Sequence, residues 1–297
     1  MTSSNPLRTP LPRLQPVDSL ESLRERVIRL LKQSNRRSMG NSQMLLGFPP
    51  ANIPETAIAH PSKNIAEFLD FISDAVPDGD VYLFGGVIRD LALLGRRGFN
   101  SDIDLVVEGD WDNFVRYLEF LGARKNRFGG FRLEVAGWPI DIWYARETWA
   151  IKQGLVRYAG IASLTETTVL NWDAILMNWR TRNFIFRENY LEQIKMRALD
   201  IVLEENPNPR GMAVRVFRHL CSKDATKITA TAARYLAHCT KAFTFDEIKE
   251  KEIDSYGASV IDAAIFRLFE HLNVNEDLDI SRQLNIASDI LKTELGF

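Results

Sequence analysis

Apolar residues recur at Leu20, Leu23, Val27, Leu30 and Leu31 in LESLRERVIRLLKQ, a spacing of three and four that lines one face of a helix. Asp18, with Glu21 three residues on, predicts a capping box at its start. The same period returns in NIAEFLDFISDAV, Asn64 to Val76, and Pro77 and Gly79 end it. From Val81 the apolar runs shorten to strand length: VYLF, DIDLVV, FRLEVA and PIDIWY, with the helical patterns GGVIRDLALL and DWDNFVRYLEFLG between the first three. Gly137 and Pro139 separate the last two strands. DAILMNW and NFIF follow as further strands, with Thr181 to Asn183 as the turn between them. Beyond Pro209 the helical period takes over, through GMAVRVFRHL, ITATAARYLAHCT, TFDEIKEKEI, SVIDAAIFRLFEHL and ISRQLNIASDILKTEL.

This order predicts an α+β fold, a head on a short mixed β-sheet followed by an all-helical neck and body. The expected divisions are a disordered tail over 1–17, N-terminal helices and a linker over 18–78, the head over 79–190, and the neck and body over 191–297. No fixed-period repeat is present. With 297 residues, 45% of them hydrophobic and 26% charged, the chain can bury a sizeable core. Its 37 basic and 39 acidic residues leave a formal net charge of −2, so any contact with nucleic acid must come from a local basic patch. No run reaches the roughly 18 apolar residues of a membrane span, and a cytoplasmic protein without a membrane partner is expected. Cys221 and Cys239 lack the paired spacing of a zinc site. The tryptophans, Trp111, Trp138, Trp143, Trp149, Trp172 and Trp179, are expected in packing, and His219 in a structural role.

One segment carries chemistry. In SDIDLVV, residues two apart share a face of the strand, so Asp102 and Asp104 project together while Ile103 and Leu105 face the core. Two carboxylates so placed repel unless a cation lies between them, and Mg²⁺, which prefers oxygen ligands, suits them. Asp141 in PIDIWY supplies a third acid, enough for a two-metal site that clamps the attacking and leaving oxygens of an in-line phosphoryl displacement. Gly85 and Gly86 lie between a strand and a helix, where missing side chains let a phosphate reach backbone N–H groups. Arg89 falls on the first turn of that helix, in reach of the same phosphate. Taken singly, an Asp-x-Asp is commonly a solvated strand edge and a Gly-Gly a turn. Their order, strand, Gly-Gly, helix, Asp-x-Asp strand, hairpin with a third Asp, is far more specific.

GGVIRDLALLGRRGFNSDIDLVV resembles the GGxVRDxLLGRxxxDxDxVV signature of class II CCA-adding enzymes and bacterial poly(A) polymerases, within the DNA polymerase beta nucleotidyltransferase superfamily. FGGFRLEVAGWPIDIW is similar to the block that follows in that family, a Phe-Gly loop before a hairpin with the third carboxylate. The resemblance runs from about Val81 to Arg218. It implies that Asp102, Asp104 and Asp141 are catalytic and ligate the metal, with Asp141 activating the attacking hydroxyl. It also implies that Gly85, Gly86 and Arg89 grip the triphosphate and that Arg96 and Arg97 flank the site against RNA. Asp173, in TTVLNWDAIL, stands where the family has an Asn in an Arg-Arg-Asp-Phe-Thr-Ile-Asn-Ala run, and the arginines of that run are absent. Arg215 and Arg218 keep the spacing of a neck Arg-x-x-Arg, with Met212 in place of an earlier Arg; they join the nucleotide-binding set, or form the solvated face that arginine pairs on helices usually form. The base-reading Glu-Asp-x-x-Arg of the CCA-adding enzymes is absent.

The resemblance implies a Mg²⁺-dependent nucleotidyltransferase with two ions, an NTP substrate and an RNA acceptor, a tRNA 3′ end. Two alternatives stand beside it: transfer to a protein, small molecule or nucleotide, and a catalytically silent RNA-binding or regulatory module. Carboxylates kept inside apolar strands count against the silent module.

Overall fold

The computed structural model describes residues 15–33, 62–99, 101–126, 128–223 and 225–272. Of the expected disordered tail over 1–17, residues 1–14 lie outside the described residues, as do the linker over 34–61 and the last helical pattern over 280–295; the tail ends earlier than expected, because Val17 is buried in the core.

Helix α1 (Leu20–Leu31) buries Leu23, Val27, Leu30 and Leu31, the predicted stripe. Its cap is Ser19, one residue later than expected. Ser19 has extended backbone and its Oγ accepts the Ser22 N–H at 3.2 Å, so Glu21 falls in the first turn and pairs with Arg24 instead. Helix α2 (Ile65–Asp74) is capped by Asn64, whose side chain accepts the Glu67 N–H at 3.0 Å.

The head then runs β1 (Asp80–Phe84), α3 (Gly86–Leu93), β2 (Ile103–Glu108), α4 (Trp111–Phe120), β3 (Arg124–Lys125), β4 (Phe131–Val135) and β5 (Trp138–Tyr144). A short α5 (Trp149–Lys152) and 3₁₀ turns lead to β6 (Ile175–Asn178) and β7 (Phe184–Phe186). These strands form one mixed sheet in the order β3-β4-β5-β2-β1-β6-β7, with β2 and β5 parallel and the other neighbours antiparallel. The parallel pair is possible because α4 and the β3–β4 strands supply the long crossover it requires.

The sheet has two unlike faces, as the strand period dictates. Val81, Leu83, Ile103, Leu105, Val107, Ile140, Ile142, Ile175 and Met177 are buried in the main core with α1, α2 and α3. The opposite face buries Tyr82, Val106 and Leu176 under Ala145 and Leu164. Helix α1 docks on α3 through this main core, and two polar contacts fix it: the Val17 N–H donates to Ala92 O at 2.8 Å, and Arg26 Nη1 donates to Leu91 O at 3.0 Å.

The rest comprises α6 (Tyr190–Lys195), β8 (Ala198–Leu199), α7 (Pro209–Ser222), β9 (Lys227–Ile228), α8 (Ala230–Ala242), α9 (Phe245–Tyr256) and α10 (Ala263–Glu270). The parallel β8–β9 pair interrupts the helical region; two residues are too few for periodicity to reveal. Helix α10 begins at Ala263, later than the apolar pattern, because Val260 and Ile261 donate their N–H groups to the buried Glu252 at 2.9 and 3.3 Å and stay extended. The tryptophans are used in packing: Trp172 and Trp179 are fully buried, Trp111 stacks on Tyr144 at 5.5 Å, and Trp138 lies 5.3 Å from Phe99. Among the described residues no helix is long and apolar enough to cross a membrane.

Since Leu23 is fully buried between α1 and the head, Leu23→Ala should lower stability by about 2–4 kcal/mol in urea unfolding. A loss under about 1 kcal/mol would mean that α1 is not integral to the core.

Candidate active site

The three acids lie on the half-covered face of the sheet, and strand register sets two of them side by side. Asp104 on β2 lies directly beside Asp141 on β5, and Phe84 at the end of β1 lies on the other side of Asp104. Across β5, Asp141 faces Arg132 of β4. One row therefore crosses the sheet, Arg132, Asp141, Asp104, Phe84, with Asp102 just ahead of β2 on the same face. Phe84 meets Trp143 edge-on at 5.8 Å beside this row.

The electrostatics follow from that crowding. Burial first, then the neighbouring Asp141 charge, push the Asp104 carboxyl up to about 7, and Arg215 partly offsets this. Burial also raises Asp141, while Arg132 pulls it back. Arg132 bridges two of the acids: Nη2 donates to Asp102 Oδ2 at 3.0 Å and Nη1 to Asp141 Oδ2 at 3.2 Å. Among the described residues no three His, Cys, Asp or Glu side chains are gathered into a ready metal cluster. The donor set nonetheless fits Mg²⁺: it is all carboxylate, and two of its members already converge on a single positive charge.

Beside the row, Gly85 turns β1 into α3 with φ +59° and ψ −112°, a conformation open to glycine and strained for other residues. Its N–H donates to Ile175 O at 3.0 Å and its carbonyl accepts the Ile88 and Arg89 N–H groups, each at 3.0 Å. A side chain at Gly86 would come within 3.2 Å of Ser101 Oγ. The backbone there stays bare at the positive end of α3.

Arg89 turns inward. Its guanidinium is buried and donates to Asp90 Oδ1 at 2.9 Å, to Ser101 Oγ at 2.9 Å and to Asp173 Oδ1. Asp90, wholly buried, also accepts Ser101 Oγ at 2.8 Å and Lys223 Nζ at 3.0 Å. Asp173 is thus placed behind the Gly-Gly turn, as the anion opposite Arg89. The neck pair separates. Arg215 is exposed on α7, close enough to Asp104 for its charge to act there. Arg218 instead pairs with buried Glu252, donates to Ala258 O at 3.1 Å and lies over Tyr256. Arg96 and Arg97 sit in a 3₁₀ turn past the other end of α3, where Arg96 shares a groove of about 300 Å³ with Arg26 and Arg29 of α1.

Four participants were not among the residues singled out from the sequence: Asp90, Ser101, Arg132 and Lys223. Arg132 is placed by the hairpin turn, in which Ala136 and Gly137 both have positive φ, +50° and +79°, a two-residue connection that Ala-Gly does not announce in sequence. Counting back from its Val135–Trp138 pair sets Arg132 against Asp141. Lys223 gave no local signal, because its partner Asp90 is 133 residues away.

A family model described as a nucleotidyltransferase domain matches residues 65–218. No curated protein matches the chain. Similar solved structures include a CCA-adding enzyme in complex with CTP (18% identity, TM-score 0.47, covering 77% of this chain and 57% of that one). Another is the Thermotoga maritima CCA-adding enzyme complexed with tRNA (17%, TM-score 0.47, 76% and 64%). A third is a tRNA nucleotidyltransferase complexed with a primer tRNA and an incoming ATP analog (16%, TM-score 0.44, 73% and 58%). The chain spans little more than half the length of such structures, 58% and 57% in two of them. Likeness at this level assigns no substrate.

Removing one member of the Asp90 network strands buried cations, so Asp90→Ala should cost about 3–5 kcal/mol in urea unfolding, whereas exposed Arg97→Ala should stay within about 0.5 kcal/mol. Comparable losses would show that the network is not what holds the turn. A second expectation concerns His219, whose Nδ1–H donates to Arg215 O at 2.7 Å and whose Nε2 has no partner among the described residues. Burial, helped by the Arg89 charge, holds the imidazole down to about 3 in the fold. The unfolded chain takes up that proton first, near pH 6.5. The stability His219 contributes is therefore complete above about pH 6.5 and lost as pH falls toward 3. His219→Leu should flatten the stability curve over that window; an unchanged acid limb would rule this out.

Proposed function

The chain belongs to the nucleotidyltransferase domain family, and from that premise we propose that it transfers a nucleoside monophosphate from an NTP to an RNA 3′-hydroxyl, that of a tRNA, releasing pyrophosphate. The observation that carries the transfer chemistry is the register: Asp104 directly beside Asp141 on parallel strands, with Asp102 on the same face and the Gly85–Gly86 turn at the end of the adjoining strand; the tRNA acceptor rests on the resemblance of GGVIRDLALLGRRGFNSDIDLVV to enzymes that extend one. Placing a phosphate grip beside a trio of acids is what attack on an α-phosphorus requires.

Asp102, Asp104 and Asp141 would hold the metal. Two Mg²⁺ ions held there would supply Lewis-acid stabilisation of the charge that develops in the transfer. The residues of the chain do the rest. The N-terminus of α3 at Gly86 receives the triphosphate, while Gly85, its own N–H held by Ile175 O, makes the turn that bares it. Arg89 acts behind that turn, since its bonds to Asp90, Ser101 and Asp173 fix the position of the glycines. Asp173 holds Arg89 in that position. Arg215, exposed on the neck and near Asp104, is the side chain placed to meet phosphate charge from the other side. Asp141, whose carboxyl is raised by burial, orients the acceptor hydroxyl and takes its proton as the new O–P bond forms and the bond to pyrophosphate breaks. Arg218 serves the body, through Glu252.

A non-RNA acceptor within the same chemistry is favoured by one observation: Arg218 is consumed by Glu252, which leaves fewer neck cations for an RNA backbone on a chain of net charge −2.

The test is incubation of the protein with total RNA, Mg²⁺ and each α-labelled NTP in turn. Label should enter a tRNA-sized band, and Asp104→Asn should lower the rate by at least about 10³-fold with stability equal to or above that of the unsubstituted protein, because the buried charge it removes is unfavourable. Pyrophosphate released without labelled RNA would move the acceptor to a protein or small molecule. Full activity in Asp104→Asn would dismiss the metal assignment.

A further inference from the structure

Arg132 occupies the place between Asp102 and Asp141 where a cation is needed, and the strand register puts its side chain within reach of both. The two-residue hairpin turn at Ala136 and Gly137 fixes the β4–β5 register, which sets Arg132 opposite Asp141 on the site face. Its guanidinium contacts both acids, at 3.0 and 3.2 Å. The Asp102 arm of the contact is weak enough to exchange, because the Arg132 and Asp102 side chains are each about half exposed (51% and 49%) and exposed ion pairs contribute little; Asp141 is more covered, at 23%, and needs the stronger charge of a divalent ion to displace its arginine. By contrast, the neighbouring Arg89 is locked inside by three buried partners.

We propose that Arg132 is a displaceable placeholder cation, which yields Asp102 and Asp141 to a divalent ion and is then redirected onto a phosphate of the RNA acceptor. This rests on the metal-dependent transfer proposed above. The first half follows from charge: a guanidinium and a divalent ion cannot share the same two carboxylate oxygens without repulsion, so binding of one releases the other. The second half follows from position. Along the cross-sheet row the Gly85–Gly86 turn adjoins Phe84, Asp104 and Asp141 come next, and Arg132 is last. Arg132 is therefore on the far side of Asp141 from the triphosphate grip, the side from which an acceptor hydroxyl must approach. Once freed, a half-exposed guanidinium there meets the phosphodiester preceding that hydroxyl, a group that arginine binds through paired N–H donors. The device would couple the two substrates: the acceptor contact becomes available only when the carboxylates have been taken by metal.

The test uses the full-length protein with Mn²⁺ alone as probe, followed by a short single-stranded RNA. Calorimetric titration should show Arg132→Met binding Mn²⁺ about tenfold more tightly than the unsubstituted protein, and Asp102→Asn losing that binding. Fluorescence anisotropy should show RNA affinity of the unsubstituted protein rising on addition of Mn²⁺, with that rise absent in Arg132→Met and partly restored in Arg132→Lys. Equal Mn²⁺ affinity in Arg132→Met and the unsubstituted protein would overturn the placeholder while leaving the metal site standing. Tighter Mn²⁺ binding with the metal-induced rise in RNA affinity intact would overturn the acceptor contact. Absence of Mn²⁺ binding in every variant would instead remove the metal-dependent reading on which the inference is built.

Discussion

The site depends on a charge that cannot reach water. Asp90 is wholly buried, and its two oxygens are shared among Arg89, Ser101 and Lys223. Through Arg89 the same network reaches Asp173. Four stretches of chain thereby converge: the first turns of α3, the approach to β2, the approach to β6 and the end of α7. A buried carboxylate left unpaired is costly, so none of the four can shift without exposing that cost. This is why a glycine turn with an otherwise unfavourable backbone can be kept in place beside the acids. The helix end that would receive phosphate is rigid because the arginine in its first turn faces inward, not because it faces the ligand.

The opposite principle governs the sheet face. There the charges are not neutralised inside the fold. Asp104 and Asp141 are forced side by side by the parallel β2–β5 pairing, and burial raises both carboxyls. Such repulsion is tolerated where a cation completes the arrangement. In the protein alone, the partial compensation comes from Arg132 on the neighbouring strand and from Arg215 on the neck. The locked network behind the turn and the exchangeable pair in front of it differ chiefly in exposure, and exposure sets whether a charge is scaffold or reagent.

The neck helix shows the same division over one turn. Arg215 and Arg218 are three residues apart, yet Arg218 is drawn to Glu252, which three further groups on the approach to α10, the Ser259 hydroxyl and the Val260 and Ile261 N–H groups, hold in place. Arg215 is left exposed toward the acids. Spacing alone treats the two as equivalent; a buried acid on α9 separates them.

Local order was legible in the sequence. The helical stripes of α1 and α2, the strands β1, β2, β4, β5, β6 and β7, the Gly-Gly turn and the common face of Asp102 and Asp104 all follow from periodicity and backbone chemistry, which act over a few residues. The family was legible too, from the spacing of GGVIRD and DID. Arg132 opposite Asp141 was not, because the two-residue turn at Ala136 and Gly137 that sets the register shows itself only in the backbone angles. What only the tertiary structure decided is the pairing between distant segments: Asp104 with Asp141 in parallel, Asp90 with Lys223, Arg218 with Glu252, and the docking of α1 on α3. Those pairings are set by which buried charges and apolar faces find each other across the folded chain, and no local pattern encodes that choice because the energy that makes it exists only once water has been excluded from between them.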